Sequence, residues 1–161
     1  MDNIFTVEQI KNSVEYKWRM FTVKGSLICW LFMSVVSFFL CLVNFKFEDL
    51  LWVWLIFVGV FGLILVPIGL YYYFKARYIV KNYKKFDVYE VKLDRVNNSF
   101  MYRGASYYTV EIVHNNLRKC VDTNPYFQTH FGIFHLDDYN NQKVVGLYDP
   151  DNEEFYIVNK V

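Results

Sequence analysis

The sequence predicts an α+β membrane protein in which an amphipathic N-terminal helix and a hairpin of two apolar helices precede a small antiparallel β-barrel or sandwich. The chain of 161 residues contains 17 basic and 16 acidic side chains, yet none of them falls in residues 25–45 or 50–74. From Phe86 onward, apolar and polar residues alternate with the period of two that a half-buried strand requires. The charge-free stretches exclude a purely soluble protein, and the composition excludes disorder and a disulfide scaffold.

Residues 1–24 carry the signals of a helix with one apolar face. Thr6 and Gln9 match a capping box, in which the Thr side chain accepts from a backbone N–H and the Gln side chain bonds back. Phe5 and Ile10 occupy the two positions of a hydrophobic staple. Apolar residues then recur at helical spacing: Ile10, Val14, Trp18 and Phe21. This face could lie on the cytoplasmic leaflet, with Trp18 at the interface, or pack on the soluble domain, and the sequence leaves both open.

Residues 25–45 and 50–74 are each long enough to cross a bilayer. At about 1.5 Å per residue they would form helices about 31 Å and about 37 Å long, against about 30 Å for the hydrocarbon core. The connecting loop, residues 46–49, is so short that the two helices must form a tight antiparallel hairpin. We expect Pro67 to bend the second helix, because it removes a backbone hydrogen bond. Aromatic residues typical of membrane interfaces occupy both ends of the second stretch: Trp52, Trp54, Tyr71, Tyr72, Tyr73 and Phe74.

Small residues within the two stretches allow close helix packing. Gly59, Gly62 and Gly69 lie on the second stretch, and Ser34, Ser37 and Cys41 lie on the first. Small residues at such spacing let helix backbones approach each other in lipid. The pattern fits packing within the hairpin and homo-oligomer formation equally well.

The distribution of Lys and Arg predicts that both termini are cytoplasmic. Nine basic residues lie within residues 11–24 and 75–85, whereas the loop between the apolar stretches contains only Lys46. Cytoplasmic segments next to membrane helices carry such an excess of positive charge. We therefore expect a multi-pass protein of the bacterial inner (cytoplasmic) membrane, with no cleaved signal peptide.

The stem after the second stretch, residues 75–85, contains five basic residues and no acidic one. Such a flank is ordinary for a cytoplasmic helix end, and it can also attract anionic lipid headgroups at about 1 kcal/mol per basic residue. The candidate headgroup contacts are Lys75, Arg77, Lys81, Lys84 and Lys85.

Residues 86–161 predict five or six short strands in an antiparallel meander. The predicted strands are residues 89–94, 99–103, 107–113, 117–122, 144–148 and 155–158. Turn signals separate them at Asn97-Asn98, Gly104-Ala105, Asn115-Asn116, Asn140-Asn141 and Asp149-Pro150-Asp151-Asn152. Residues 123–138 could hold another strand or a cap.

Two motifs in this region resemble those of a known family. The first is Arg103-Gly104-Ala105-Ser106-Tyr107-Tyr108-Thr109-Val110, and the second is Val145-Gly146-Leu147-Tyr148-Asp149-Pro150-Asp151-Asn152. Together they are similar to a widespread bacterial family of membrane-tethered small β-domains of unknown function, related in outline to oligonucleotide-binding-type barrels. The resemblance covers about half the chain and implies an OB-like outline, but no catalytic residues. The family often places its domain between two spans, whereas here both apolar stretches come first.

The sequence offers few groups for catalysis or metal binding. Cys29 and Cys41 are too far apart along one helix to form a disulfide, and Cys120 stands alone in a predicted strand. The spacing of His114, His130 and His135 relative to Cys120 and Asp122 matches no zinc pattern. There is no phosphate loop, dinucleotide fingerprint or nucleophile elbow, and neither apolar stretch contains an ionisable group for transport. We therefore expect no enzyme, no cofactor and no metal; a membrane-bound enzyme using Cys120 and a nearby His is the last alternative.

These observations favour a membrane protein that presents its β-domain to a protein partner, in an accessory or regulatory role. Candidate partner contacts are the aromatic residues Tyr102, Tyr107, Tyr108 and Tyr156, although some of them must belong to the core. The domain carries 7 basic and 11 acidic residues, which is the wrong sign for nucleic acid. An immunity protein that protects its own cell from a toxin is the alternative, because such a role suits a small membrane protein without catalytic groups.

Overall fold

The computed structural model describes residues 5–44, 46–93, 96–98, 105–124, 126–127 and 139–161, and it has an α+β fold. Three helices come first, namely α1 (Val7–Asn12), α2 (Val14–Asn44) and α3 (Phe47–Asn82), followed by a 3-10 turn (Tyr83–Lys85). Seven strands follow: β1 (Asp87–Lys92), β2 (Val96–Asn98), β3 (Ala105–His114), β4 (Leu117–Asp122), β5 (Tyr126–Phe127), β6 (Lys143–Asp149) and β7 (Glu154–Lys160). The prediction of two long apolar helices followed by small antiparallel sheets is confirmed.

Two compact units make up the chain. The first contains the residues up to Trp18 together with Tyr78–Val161, and the second contains Arg19–Arg77. The first unit is called the β-domain below, and the second is called the helical hairpin.

The start of the first helix has the capping box that the sequence predicts. The Thr6 hydroxyl accepts from the backbone N–H of Gln9 at 3.2 Å, and the Thr6 N–H donates to the Gln9 side-chain oxygen at 2.8 Å. The helix ends at Ser13, whose hydroxyl donates to the Ile10 carbonyl at 2.6 Å and accepts from the Tyr16 N–H at 3.2 Å. Ser13 thus separates α1 from α2, and the segment predicted as one amphipathic helix is two helices, the second continuous with the apolar stretch.

Paired indole hydrogen bonds join the two helices of the hairpin. Trp30 of α2 donates from Nε1 to the Val58 carbonyl of α3 at 3.1 Å, and Trp54 of α3 donates to the Ser34 carbonyl of α2 at 2.9 Å. The Trp54 ring also meets the edge of Phe38, with a centroid distance of 5.6 Å. Each of these half-buried indole N–H groups therefore has an acceptor, as a tryptophan in apolar surroundings requires. Helix α3 continues through Pro67 to Asn82.

The strands of the β-domain form two antiparallel sheets. The first has the order β1-β6-β7, and the second has the order β2-β3-β4, with β5 also pairing with β3. Strands β3 and β4 are joined by a tight turn at Asn115 and Asn116, which both have positive φ angles of 51° and 63°. A parallel bridge between Thr123 and Phe155 connects the end of β4 to the start of β7.

Most predicted strands match observed ones, but the turn predicted at Asn97-Asn98 is wrong, and Ala105 of the predicted Gly104-Ala105 turn belongs to β3. Asn97 and Asn98 belong to β2, where they pair with Tyr107 and Ser106 of β3. The asparagines suggested a turn because of their intrinsic preference, but pairing with β3 holds them in an extended conformation. The predicted strand 99–103 lies outside the described residues, as does most of 123–138. The described part of that last stretch contains β5.

The core of the β-domain includes both segments that flank the hairpin. Ile10 of α1, Ile79 of α3 and Tyr83 lie in one buried cluster with four residues from strands and turns. Phe5 packs against this cluster. The strand and turn members are Phe86, Leu147, Tyr156 and Val158. Trp18 meets Tyr126 edge to face at a centroid distance of 6.0 Å. The apolar face of the N-terminal segment therefore packs on the β-domain, which resolves the alternative left open by the sequence.

Gly146 allows the closest packing within this core. It lies at a register shift between β6 and β7, after Val145. A Cβ atom at Gly146 would lie 2.1 Å from Cζ of Phe155 and 2.9 Å from the Tyr156 carbonyl oxygen. Only a residue without a side chain fits at this position.

Candidate membrane and partner-contact surfaces

The outside of the helical hairpin is covered by large apolar side chains. Leu63 is 78% exposed, Trp52 is 70% exposed and Ile28 is 66% exposed, and many neighbours are similar. Both helices are long and apolar enough to cross a membrane. Water-soluble proteins rarely present an apolar surface of this extent, and such surfaces are typical of sites that contact a membrane or another protein.

The five candidate headgroup contacts lie on α3 or on the turn that follows it. Lys75 is half-buried, whereas Arg77, Lys81, Lys84 and Lys85 are exposed. The stem is thus helical up to Asn82, and four of its five cations face outward.

The three glycines of the predicted small-residue face have different surroundings. A Cβ atom at Gly69 would lie 2.6 Å from Oγ of Ser26, and one at Gly62 would lie 3.3 Å from Nε1 of Trp30. Both residues therefore serve packing between α2 and α3. A Cβ atom at Gly59 would meet nothing within 4 Å, so Gly59 does not take part in this contact.

Two of the tyrosines predicted as partner contacts are core residues instead. Tyr108 is 0% exposed and Tyr156 is 1% exposed, and neither side chain can contact a partner without unfolding. Strand alternation is the cause, because Tyr108 shares the inward face of β3 with Val110 and Ile112. Tyr107 points to the other face and is half-buried, and Tyr102 lies outside the described residues.

Polar residues and one exposed valine form the outward face of β3 and β4, here called the outer β3–β4 face. Its members are Tyr107, Thr109, Glu111 and Val113 of β3, with Arg118, Cys120 and Asp122 of β4. Thr109 donates to Oδ1 of Asp122 at 2.7 Å and accepts from the Asn97 amide at 2.8 Å. Val113 is 58% exposed and lies opposite Arg118.

A polar and aromatic cluster lies where β1, β3 and β6 meet. His114 Nδ1 lies 3.1 Å from an oxygen of Asp87, and the Tyr89 hydroxyl donates to the Val113 carbonyl at 3.1 Å. Burial raises the pKa of the Tyr89 hydroxyl, and the negative charge of Asp87 raises it further. The Tyr148 ring meets the His114 ring edge to face at a centroid distance of 5.2 Å.

Lys119 extends this cluster to the turn between β6 and β7. Its ammonium group donates to Glu153 at 2.5 Å and to the Tyr148 hydroxyl at 3.2 Å. The hydrogen bond to Glu153 raises the pKa of Lys119, and the bond to Tyr148 adds to the effect. Lys119 therefore joins β4 to the other sheet through polar contacts.

A buried carboxylate joins α2 to the region around β5. Glu15 is 1% exposed, and its two oxygens accept from the Asn124 amide at 3.0 Å and from the Tyr126 hydroxyl at 2.5 Å. The apolar pattern Ile10, Val14, Trp18 and Phe21 gives no indication of this role for Glu15. The signal for its burial was its spacing: Glu15 lies three residues before the buried Trp18, and residues at this spacing share a helix face.

The structure does not bring Cys120 and His114 together. Cys120 pairs with Glu111 on the outward face, whereas His114 pairs with Leu117 and points to the opposite side. Within the described residues, no group of three or more His, Cys, Asp or Glu could hold a metal ion. His130 and His135 lie outside these residues.

No family model, curated protein or solved structure matches the chain. The resemblance to membrane-tethered β-domains therefore stays a prediction.

Proposed function

We propose that this protein is a two-span integral protein of the bacterial cytoplasmic membrane that presents its β-domain to a protein partner inside the cell, without catalytic chemistry of its own. The observation that carries the proposal is the single buried cluster shared by Ile10, before the hairpin, and Ile79, after it. Two segments in one aqueous core must lie on the same side of a membrane. The chain between them therefore crosses the bilayer an even number of times.

The side of the membrane follows from charge. Nine basic residues flank the two apolar stretches where they join the β-domain in the sequence, and only Lys46 lies between the stretches. The positive-inside preference places the flanks, the β-domain and both termini in the cytoplasm. The exposed cations Arg77, Lys81, Lys84 and Lys85, together with Lys75, then stand near the anionic headgroups of the inner leaflet.

The proposed outline of the β-domain is a small, partly open barrel. The bridge between Thr123 and Phe155 links the two sheets on one side. On the other side, the hydrogen bond from Tyr89 to the Val113 carbonyl joins β1 to β3. Both contacts support closure of the sheets around one core, as in OB-like barrels.

Cysteine labelling in whole cells tests the membrane topology. The background carries Cys29→Ser and Cys41→Ser, so that the exposed Cys120 of the β-domain is the remaining thiol. A membrane-impermeant maleimide should label Cys120 only after the cells are permeabilised. With Cys120→Ser and Lys46→Cys added, the same reagent should label intact cells. Labelling of Cys120 in intact cells, or protection of Lys46→Cys, would refute the proposed topology.

Photo-crosslinking tests the partner hypothesis on the outer β3–β4 face. A photoreactive amino acid at Val113 should form one defined adduct in native membranes, because Val113 is an exposed apolar residue on that face. The matched control is the same amino acid at Asn159, which is exposed on β7. The interaction hypothesis requires an adduct at Val113 and none at Asn159. Equal adducts at both sites, or none at either, would contradict it.

A further inference from the structure

An apolar groove runs along one side of the helical hairpin. It has a volume of about 460 Å³, within the range of about 300–1,000 Å³ that small-molecule sites occupy. Its walls include Val23, Lys24 and Leu27 of α2 and Val66, Gly69 and Tyr73 of α3. The spacing on each helix is that of one helical face, so the groove follows the line along which the two helices meet.

Gly69 explains why the helices come close along this line. A side chain at Gly69 would collide with Ser26, whose hydroxyl already donates to the Val23 carbonyl at 2.9 Å. The backbones of α2 and α3 are therefore close at Gly69. The groove lies beside this contact, and larger residues before and after it on each helix line the groove. The absence of a side chain at Gly69 also leaves the groove open at that level.

The lining of the groove is almost wholly apolar, and its one charged residue lies between Met20 and Leu27 on α2. Lys24 is the only charged residue among those that line it, and its side chain is exposed. Lys24 also directly precedes the charge-free stretch of residues 25–45. In the orientation proposed above, it lies at the headgroup level of the inner leaflet, while Val66 and Leu27 lie deeper.

We infer that this groove binds one anionic phospholipid of the inner leaflet, with an acyl chain between α2 and α3 and the phosphate at Lys24. The inference rests on the proposed membrane topology. Basic pockets between membrane helices on the cytoplasmic side bind anionic headgroups in this way. A second copy of the chain fits less well, because a two-fold contact through the groove would bring two Lys24 ammonium groups of like charge close together.

Native mass spectrometry of the full chain tests the inference. The protein is reconstituted into nanodiscs that contain equal amounts of phosphatidylglycerol and phosphatidylcholine with the same acyl chains, and the lipids that stay bound on release are counted. We expect one phosphatidylglycerol per chain. Lys24→Gln should lower the ratio of bound phosphatidylglycerol to phosphatidylcholine about fivefold, from about 1 kcal/mol per charge. Lys24→Arg should keep the ratio.

Two further variants separate this site from general attraction to the membrane. Lys81→Gln removes an exposed cation of the stem and should leave the ratio unchanged. Val66→Phe fills the groove and should reduce retention of both lipids. Equal effects of Lys24→Gln and Lys81→Gln, full lipid retention in Val66→Phe, or a chain dimer in place of the lipid complex would overturn the inference.

The topology and the groove can fail separately. Maleimide labelling of Lys46→Cys and Cys120 in the cells that supply the protein reports the topology alone. Correct labelling together with a missing lipid complex rejects the groove and leaves the topology standing. Incorrect labelling rejects both, since the groove then no longer faces the inner leaflet.

Discussion

At the scale of single residues, the packing of the β-domain depends on positions whose surroundings are set by residues that are not adjacent in the sequence. Gly146 is confined by Phe155 and the Tyr156 carbonyl of the adjacent strand. Glu15 is buried and bound by Tyr126 and Asn124, which lie more than a hundred positions away. Neither constraint is visible from the residues next to them in the chain.

Gly146→Ala should destabilise the β-domain. The added Cβ would lie 2.1 Å from Cζ of Phe155, so the aromatic ring and the strand backbone must both move. Overpacking of this kind costs about 1–3 kcal/mol, and more where backbone is involved. Thermal unfolding of the full chain in detergent, followed by near-ultraviolet circular dichroism, measures the effect.

Gly59→Ala is the matched control, because a Cβ atom there meets nothing within 4 Å. It should leave stability unchanged or raise it by up to about 1 kcal/mol through helix propensity. A loss of stability in Gly59→Ala as large as that in Gly146→Ala would show that the close contact at Gly146 is not the cause.

At the scale of elements, the sequence predicts the helices better than the strands. The apolar stretches and the capping box at Thr6 are local properties, and the structure confirms two long apolar helices and the capping box, although both helices extend well beyond the predicted stretches. Strand β2 is short and held by its pairing with β3, so Asn97 and Asn98 gave a misleading turn signal. The burial of Tyr108 and Tyr156 was equally hidden, because it depends on which strand face turns inward.

The docking of the N-terminal helices depends on the hydrogen bond between Tyr126 and Glu15. Tyr126→Phe removes the donor and leaves a buried carboxylate oxygen with one partner fewer, which should cost about 1–3 kcal/mol of unfolding free energy. Trypsin should then cut more quickly at Lys11 or Lys17, since both are exposed on the docked helices. Limited proteolysis and thermal unfolding measure the two effects.

Tyr107→Phe provides the comparison, because Tyr107 is half-buried on the outer β3–β4 face. The change should stay within about 0.5 kcal/mol. If both variants behave alike, the contact with Glu15 does not hold the N-terminal segment in place.

At the scale of the whole molecule, polar contacts between the two sheets make the stability of the folded chain depend on pH in the alkaline range. The pKa values of Tyr89 and Lys119 are both raised in the folded chain, by burial beside Asp87 and by the bond to Glu153 respectively. Both groups therefore bind their protons more tightly when folded. The unfolded-state pKa values of tyrosine and lysine are about 10 and 10.4. The contribution of Tyr89 and Lys119 to stability is complete below these values, and it is lost as the pH rises through their folded-state pKa values.

We therefore expect the thermal midpoint of the full chain to fall between pH 9 and pH 11, values chosen to bracket the ordinary tyrosine and lysine pKa of about 10. In Tyr89→Phe and in Lys119→Gln the fall should be shallower, because one titrating group is removed in each. Calorimetry in detergent at several pH values measures the slope. Identical slopes in the native chain and both variants would rule out these two groups as the source.

The shared cluster of Ile10, Ile79 and Val158 also has a consequence for biosynthesis. Val158 belongs to β7 and is synthesised after the whole hairpin, whereas Ile10 is synthesised before it. The cluster also contains Ile79 and Val158, so it can be completed only after the whole hairpin has been synthesised, and Ile10 lacks these neighbours until then. In a nascent chain truncated before β7, the apolar side chain of Ile10 would stay exposed. Exposed apolar side chains of this kind are recognised by chaperones and by proteolytic quality control.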